Sequence, residues 1–150
     1  MGCGAVARQF YLPALRVLQQ AGRLAVAAVV DPAEPNRRPL AAAFPRARAV
    51  AALEEAAAPP GALAVIATPP RWHARQTLAA FARGWHVLCE KPMAATAAEA
   101  DEMIAAARRH QRLLAVGLYK RFFPASRYLH RLCHERLLGP LRQFAIAQRL

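Results

Sequence analysis

Gly2-Cys3-Gly4-Ala5-Val6-Ala7 and, after one helical segment, Leu24-Ala25-Val26-Ala27-Ala28-Val29-Val30-Asp31 are the stretches whose joint reading decides the fold. The first fits the pattern G-x-G-x-x-A. Its first glycine permits a tight turn, its second lets the backbone approach a pyrophosphate, and its small third position lets helix and strand pack closely. The helix that follows directs its N-terminal N–H groups at the phosphates. The second stretch is wholly apolar until it stops at Asp31-Pro32, which reads as a buried strand ending in a turn. Asp31 lies 24 residues after Ala7, close to the ~20-residue spacing expected of a carboxylate that grips a ribose. Such a loop normally follows a first strand, and only Met1 precedes it here. The expectation is therefore a sheet lacking its first strand, with an open apolar edge and poor solubility.

The same alternation continues along the chain. The spacing predicts a helix over Ala5–Gln20, disturbed by Pro13 and stopped at Gly22, then a strand at Leu24–Val30. A short helix near 36–43, a brief strand at 47–50 and a helix near 51–57 follow. Further strands are expected at Leu63–Thr68, His86–Glu90 and Leu113–Leu118. Arg71–Arg83 reads as a helix with Gly84 as its C-cap. Thr96-Ala97-Ala98-Glu99 is a capping box opening a helix to His110. Ala125–Leu138 reads as a basic helix closed by Gly139-Pro140, and Leu141–Leu150 as the start of another strand. Continuous apolar strands alternating with helices predict an α/β fold, a Rossmann-like doubly wound parallel sheet of right-handed β-α-β units.

Composition bounds the function. The 150 residues are 56% hydrophobic, enough for a sizeable core. No apolar run approaches the ~20 residues that span a bilayer, and no secretory leader is evident, so cytoplasmic residence and no membrane partner are expected. Cys3, Cys89 and Cys133 are far apart and form no C-x-x-C pair, which suggests neither disulfides nor zinc. The net charge of +12 raises nucleic acid as a partner. Its arginines are scattered through an alanine-rich chain, and the densest run, Lys120 to Arg149, lacks the interleaved aromatics of a single-strand binder. No nucleic-acid partner is expected. His130 and His134 share one helical face, but no third ligand accompanies them, so no metal is expected.

Glu90-Lys91-Pro92 ends the apolar run His86-Val87-Leu88-Cys89. Lys91 is one of two lysines among 21 basic residues. An ammonium is a compact donor whose acidity follows its surroundings, whereas a guanidinium stays charged. Pro92 restricts the backbone at Lys91 to extended or turn geometry. These features suit a lysine that hydrogen-bonds a substrate hydroxyl and relays its proton.

Taken in order, Gly2-Cys3-Gly4-Ala5-Val6-Ala7, Asp31, Ala67-Thr68-Pro69-Pro70-Arg71-Trp72-His73, Glu90-Lys91-Pro92 and Val116-Gly117-Leu118-Tyr119-Lys120-Arg121-Phe122-Phe123-Pro124 resemble the Gfo/Idh/MocA family of sugar and polyol oxidoreductases. The resemblance implies a dinucleotide-binding domain over residues 1–120, and over 121–150 a linker helix and the beginning of a second, α+β substrate domain. Gly2, Cys3, Gly4, Ala5, Val6 and Asp31 would hold the cofactor, NAD or NADP. Asp31 favours NAD, because a carboxylate accepts the ribose hydroxyls and repels a 2′-phosphate; Arg37 and Arg38 stand where they would counter this.

The resemblance also assigns roles further along. Thr68 and Pro69 would form the loop passing the adenosine–pyrophosphate side, with His73 fixing that loop. Pro70 replaces an asparagine often found there, which removes one cofactor hydrogen bond. Glu90 would approach the nicotinamide ribose, and Lys91 would serve both cofactor and substrate as the catalytic lysine. Arg121 would stand near the substrate entrance. The partners of Lys91, an aspartate and a histidine, would come from the second domain. The implied activity is hydride transfer between nicotinamide and a sugar, polyol or related hydroxy or keto compound. The longer protein is expected to act on CH–OH groups as a homo-oligomer, and this chain alone to be inactive. A non-catalytic dinucleotide-binding module or inactive fragment remains the alternative. A nucleic-acid-binding fragment rests on charge alone.

Overall fold

In the computed structural model, residues 1–140, 142, 143 and 145 are described. They belong to two compact units, Met1–Gly117 and Leu118–Leu150.

The first unit alternates strand and helix: α1 (Leu12–Gln20), β1 (Ala28–Val30), α2 (Glu34–Ala43), β2 (Arg48–Val50), β3 (Leu63–Ile66), α3 (His73–Ala82), β4 (His86–Cys89), α4 (Ala97–Arg109) and β5 (Leu114–Val116). Every strand pairing is parallel. β1 pairs with β2, and β3-β4-β5 form a three-stranded sheet. Successive strand residues face opposite sides, and β1 shows the result. Val29 packs with Leu40 and Phe44, whereas Val30 joins Ile66, Phe81, Val87 and Met103. Helices therefore cover both faces, which is what a strand apolar on both sides requires. The N-terminus of α4 carries the expected capping box: Glu99 N–H donates to Thr96 Oγ1 at 3.2 Å, and Thr96 N–H to Glu99 Oε2 at 3.2 Å.

The two sheets meet through two residues. Gly2 N–H donates to Val30 O at 2.9 Å, and Ala67 N–H to Met1 O at 2.8 Å. The α-ammonium of Met1 donates to Val65 O. Met1 and Gly2 thus occupy the end of a strand position between β1 and β3. The rest of that position is a cavity of about 380 Å³, lined by Val26, Ala28, Leu53, Val65 and Trp85 among others.

This slot corrects one expectation. The apolar stretch Leu24–Val30 was expected to be strand throughout, but only Ala28–Val30 is. Residues 24–27 flank the slot, and a ladder needs backbone partners alongside. The expected helix near 51–57 is a single 3-10 turn, Leu53–Glu55, because Ala56 is already extended at φ −72, ψ 128. The first helical segment runs over residues 5–20 but opens into a π turn at Ala7–Tyr11. Leu12 N–H bonds Ala7 O, five residues back. Pro13 accounts for this: it has no N–H to donate and its ring crowds the carbonyl four residues earlier, so the preceding turn widens.

In the second unit a 3-10 turn, Tyr119–Phe122, precedes α5 (Pro124–His134). α5 is shorter than the expected Ala125–Leu138. Arg136 takes φ 52 and Gly139 φ 77, a left-handed exit no helix continues through. The strand expected over Leu141–Leu150 lies outside the described residues. His130 and His134 stack at 5.6 Å. Among the described residues no group of three or more His, Cys, Asp or Glu is placed to hold a metal ion, and no helix is long and apolar enough to cross a membrane.

Candidate functional site

Because all five strands are parallel, their C-terminal ends share one edge. Asp31 follows β1, Ala67 and Thr68 follow β3, Glu90 follows β4 and Gly117 follows β5. In open α/β sheets this is the edge where ligands bind.

The glycine loop sits at the start of that edge. Gly2 has φ 76, and a Cβ there would lie 2.7 Å from the backbone of Ala67 and Thr68. Glycine is required twice over, by its left-handed backbone and by the close approach to the end of β3. Gly4 is the opposite case: a Cβ there would meet nothing within 4 Å. Its surface is open where a phosphate would approach, and the exposed Ala5 and Val6 begin the helical segment beside it. The first turn of a helix offers N–H groups without intrahelical partners. Loop and helix start therefore fit a pyrophosphate. Cys3 reaches this loop through its backbone alone. Its side chain is buried, with Sγ 3.5 Å from Val30 O, and burial pushes the thiol up from its ordinary value.

Asp31 is buried and ties loop to strand. Its Oδ2 accepts from Cys3 N–H at 2.8 Å, and its Oδ1 from Ala33 N–H at 2.9 Å and Asn36 Nδ2 at 3.4 Å. Arg37 turns its guanidinium onto the carbonyls of Asp31 and Pro32, while Arg38 is exposed.

His73, fully buried, joins two loops. Its Nε2 lies 2.7 Å from Thr68 O and its Nδ1 2.8 Å from Pro92 O. A neutral imidazole donates through one nitrogen, and only the imidazolium donates to both carbonyls. Thr68 Oγ1 donates to Gln76 Oε1 at 2.6 Å, a second tie from this loop to α3. Pro69 is exposed at the loop surface.

His73 thus couples the Thr68-Pro69 loop to Glu90-Lys91-Pro92, whose Lys91–Pro92 peptide is cis. Glu90 is half-buried. Its Oε2 accepts Lys91 N–H at 3.1 Å, and its Oε1 accepts the Tyr11 hydroxyl at 2.7 Å. Lys91 is exposed, and among the described residues no carboxylate pairs with its ammonium. Arg121 belongs to the second unit, where it is exposed and its N–H bonds Leu118 O at 3.0 Å.

The first unit therefore brings Gly2–Val6, Asp31, Thr68, Pro69, His73, Glu90 and Lys91 to one edge. Sequence reasoning missed Tyr11, Gln76 and Gly117. Tyr11 sits among apolar neighbours, and its only advance sign is Pro13 two residues later.

Comparison with known proteins agrees with this geometry. The family model described as "Oxidoreductase family, NAD-binding Rossmann fold" matches residues 1–118. Trans-1,2-dihydrobenzene-1,2-diol dehydrogenase of Mus musculus is 40% identical over 96 residues, 63% of this chain and 29% of the relative. Inositol 2-dehydrogenase of Streptomyces avermitilis is 41% identical over 99 residues, 65% of this chain and 29% of the relative. Among solved structures, the WlbA dehydrogenase from Chromobacterium violaceum, in complex with NADH and UDP-GlcNAcA, superposes with a TM-score of 0.80 at 25% identity. That match covers 92% of this chain and 39% of the other. The chain thus spans well under half the length of the relatives it matches. With the glycine loop, the parallel strands and the family match over residues 1–118 in agreement, the chain belongs to the Gfo/Idh/MocA oxidoreductase family and carries its NAD(P)-binding Rossmann fold.

Proposed function

We propose that this chain is the dinucleotide-binding part of an NAD(P)-dependent oxidoreductase that moves a hydride between nicotinamide and a sugar, polyol or related hydroxy or keto compound. The observation that carries the reading is the shared edge: the open face at Gly4, the buried Asp31, and Glu90-Lys91 held against Thr68 by one buried histidine. When bound, the cofactor supplies the hydride chemistry. The chain's own residues bind and orient. Gly2–Val6 take the pyrophosphate, with Gly4 as the point of closest approach. Asp31 faces one nucleoside from the end of β1 and Glu90 the other from the end of β4. His73 holds the Thr68-Pro69 loop in place, and Arg121 contacts substrate in the longer protein. Lys91 donates to the reacting oxygen and passes on its proton.

NAD is the preferred cofactor: Asp31 stands at the end of β1, where a carboxylate favours ribose hydroxyls over a 2′-phosphate, and the Arg37 guanidinium is engaged by the carbonyls of Asp31 and Pro32. Residues 1–120 form the dinucleotide domain, and 121–150 begin the substrate domain. The longer protein is cytoplasmic and homo-oligomeric.

The test pairs binding with turnover. NADH is titrated into the chain by fluorescence, and Lys91→Ala is assayed against a panel of polyols and sugars in the longest natural form of the protein. We expect Lys91→Ala to lose about 100-fold or more in turnover, the scale of general acid–base catalysis, and far less than that in NADH binding. Unchanged turnover, or no NADH binding by the unmodified protein, removes the reading.

A further inference from the structure

Beside Lys91, three elements converge on one carboxylate. Tyr11, at the end of the π turn, donates its hydroxyl to Glu90 Oε1 at 2.7 Å. The other oxygen of Glu90 accepts Lys91 N–H at 3.1 Å. From the end of β5, Gly117 closes the third side: a Cβ there would lie 2.8 Å from Glu90 Oε1 and 3.3 Å from the Tyr11 oxygen. Any other residue at 117 would push the pair apart. Gly117 is itself fixed, since its N–H donates to Cys89 O at 2.8 Å. The backbone of Glu90 is anchored through its N–H to Ile66 O at 2.9 Å. The carboxylate's torsions are then set by its two bonds, one from Lys91 N–H and the other from the Tyr11 side chain.

We propose that Tyr11 is a positioning residue: its hydroxyl, aimed by the π turn and given room by Gly117, orients the Glu90 carboxylate for the nucleoside on the β4 side of the glycine loop. The inference rests on the dinucleotide-binding reading above and adds a residue to it. The hydroxyl is suited to the task. Burial, and then its bond to Glu90, push the Tyr11 phenol up from its ordinary value of 10.0, so it stays a donor throughout the physiological range.

The π turn explains how a helix that starts at the glycine loop also serves the far side of the site. With Leu12 N–H bonded five residues back, the turn takes up one residue more than an α-helical turn would, so the residues after it are offset by about 100° around the axis from where α-helical winding of the same residues would put them. The same short segment thus presents the phosphate loop at one end and Tyr11 at the other.

The geometry predicts an asymmetric effect. A dinucleotide lies with its pyrophosphate at the glycine loop, one nucleoside towards Asp31 and the other towards Glu90. Loss of the Tyr11 hydroxyl should therefore weaken the half beyond the pyrophosphate and spare the ADP half. The experiment measures the affinities of NADH and of ADP for the chain and for Tyr11→Phe, by fluorescence titration and competition. We expect NADH to bind about 10-fold more weakly to Tyr11→Phe, the scale of losing one hydrogen bond to a charged group, with ADP unchanged within about twofold. Glu90→Gln should shift the same ratio in the same direction. The double variant should lose no more than Glu90→Gln alone, since both act on one interaction.

Equal losses for NADH and ADP would assign Tyr11 a merely structural role and overturn the inference. So would no loss, or additive losses in the double variant. If Tyr11→Phe does not fold, Glu90→Gln, which keeps the tyrosine, carries the test through the NADH-to-ADP ratio. If the unmodified chain binds neither NADH nor ADP, the dinucleotide reading falls and this one with it. If it binds both and Tyr11→Phe changes nothing, only the positioning role falls.

Discussion

The two halves of the ligand edge are built differently. On the β3–β4 side, a continuous three-stranded ladder stands under the site, and side chains join the loops: the buried His73 bridges Thr68 and Pro92, and the half-buried Gln76 takes Thr68 Oγ1. On the β1 side, a two-stranded ladder stands beside an apolar slot, and the glycine loop is held by backbone groups of Met1, Gly2 and Cys3. The loops of one half are tied by side-chain bridges over a three-stranded ladder, and the loop of the other mainly by main-chain groups beside a cavity. The difference teaches that the glycine loop and Lys91, though on one edge, depend on separate sources of order.

Core truncation gives the largest test of this contrast. Phe81 and Phe44 are both essentially unexposed, at 0% and 1%. Phe81→Ala should cost about 3–5 kcal/mol, and Phe44→Ala should fall at or below the lower end of that range, because the cost depends on how far the surroundings can collapse. Equal losses in urea denaturation would break the contrast. Gly2→Ala comes next. It combines a left-handed backbone with a Cβ 2.7 Å from the backbone of Ala67 and Thr68, and about 3 kcal/mol is expected from conformational strain plus overpacking. Denaturation, read alongside NADH titration, should show both stability and binding falling.

His73→Leu should cost about 2 kcal/mol, because the two loops lose the buried side chain that bridges them and its donated hydrogen bond. It should also speed amide exchange at Thr68 and Lys91 while leaving Cys3 and Ala33 unaffected. Acceleration on both sides of the site would show the halves to be coupled. The smallest effect is a pH dependence. Burial pushes the Cys89 thiol up from 9.0 to about 11. A group whose pKa is raised on folding stabilises the fold below its unfolded value and loses that contribution as pH climbs through the folded one. Denaturation midpoints should therefore fall between pH 9 and about 11, and Cys89→Ala should flatten that fall.

Much of the closed half was legible in the sequence because its signals are local. Thr96-Ala97-Ala98-Glu99 states a helix start without tertiary help, and His86–Cys89 and Leu63–Ile66 are apolar runs bounded by turn residues. Asp31 and Glu90-Lys91-Pro92 stood out because charge ends an apolar stretch. The open half was harder. Leu24–Ala27 is as apolar as any strand, but whether it forms one depends on a neighbour that no local pattern encodes. Residues 51–57 have alanine's helix propensity, and the extended backbone of Ala56 overrides it. Tyr11 was missed because its partner is 79 residues away and its side chain reads as part of an amphipathic face. His73 was legible as a loop-fixing residue through resemblance, but its two carbonyl partners emerged only from the folded chain.

The π turn has a consequence for how this site changes over evolutionary time. Substitution alters a side chain where it stands, but the aim of Tyr11 also depends on how the residues between the glycine loop and Pro13 are wound. Rewinding Ala7–Tyr11 as an ordinary α-helix with every residue kept would swing the loop about 100° around the axis relative to the rest of the helix, whereas removing one residue would restore ordinary winding with the two ends still in register. With every residue kept, the loop and Tyr11 hold their relative aim only while this turn stays wide, and a substitution at Pro13 can undo it as an insertion can.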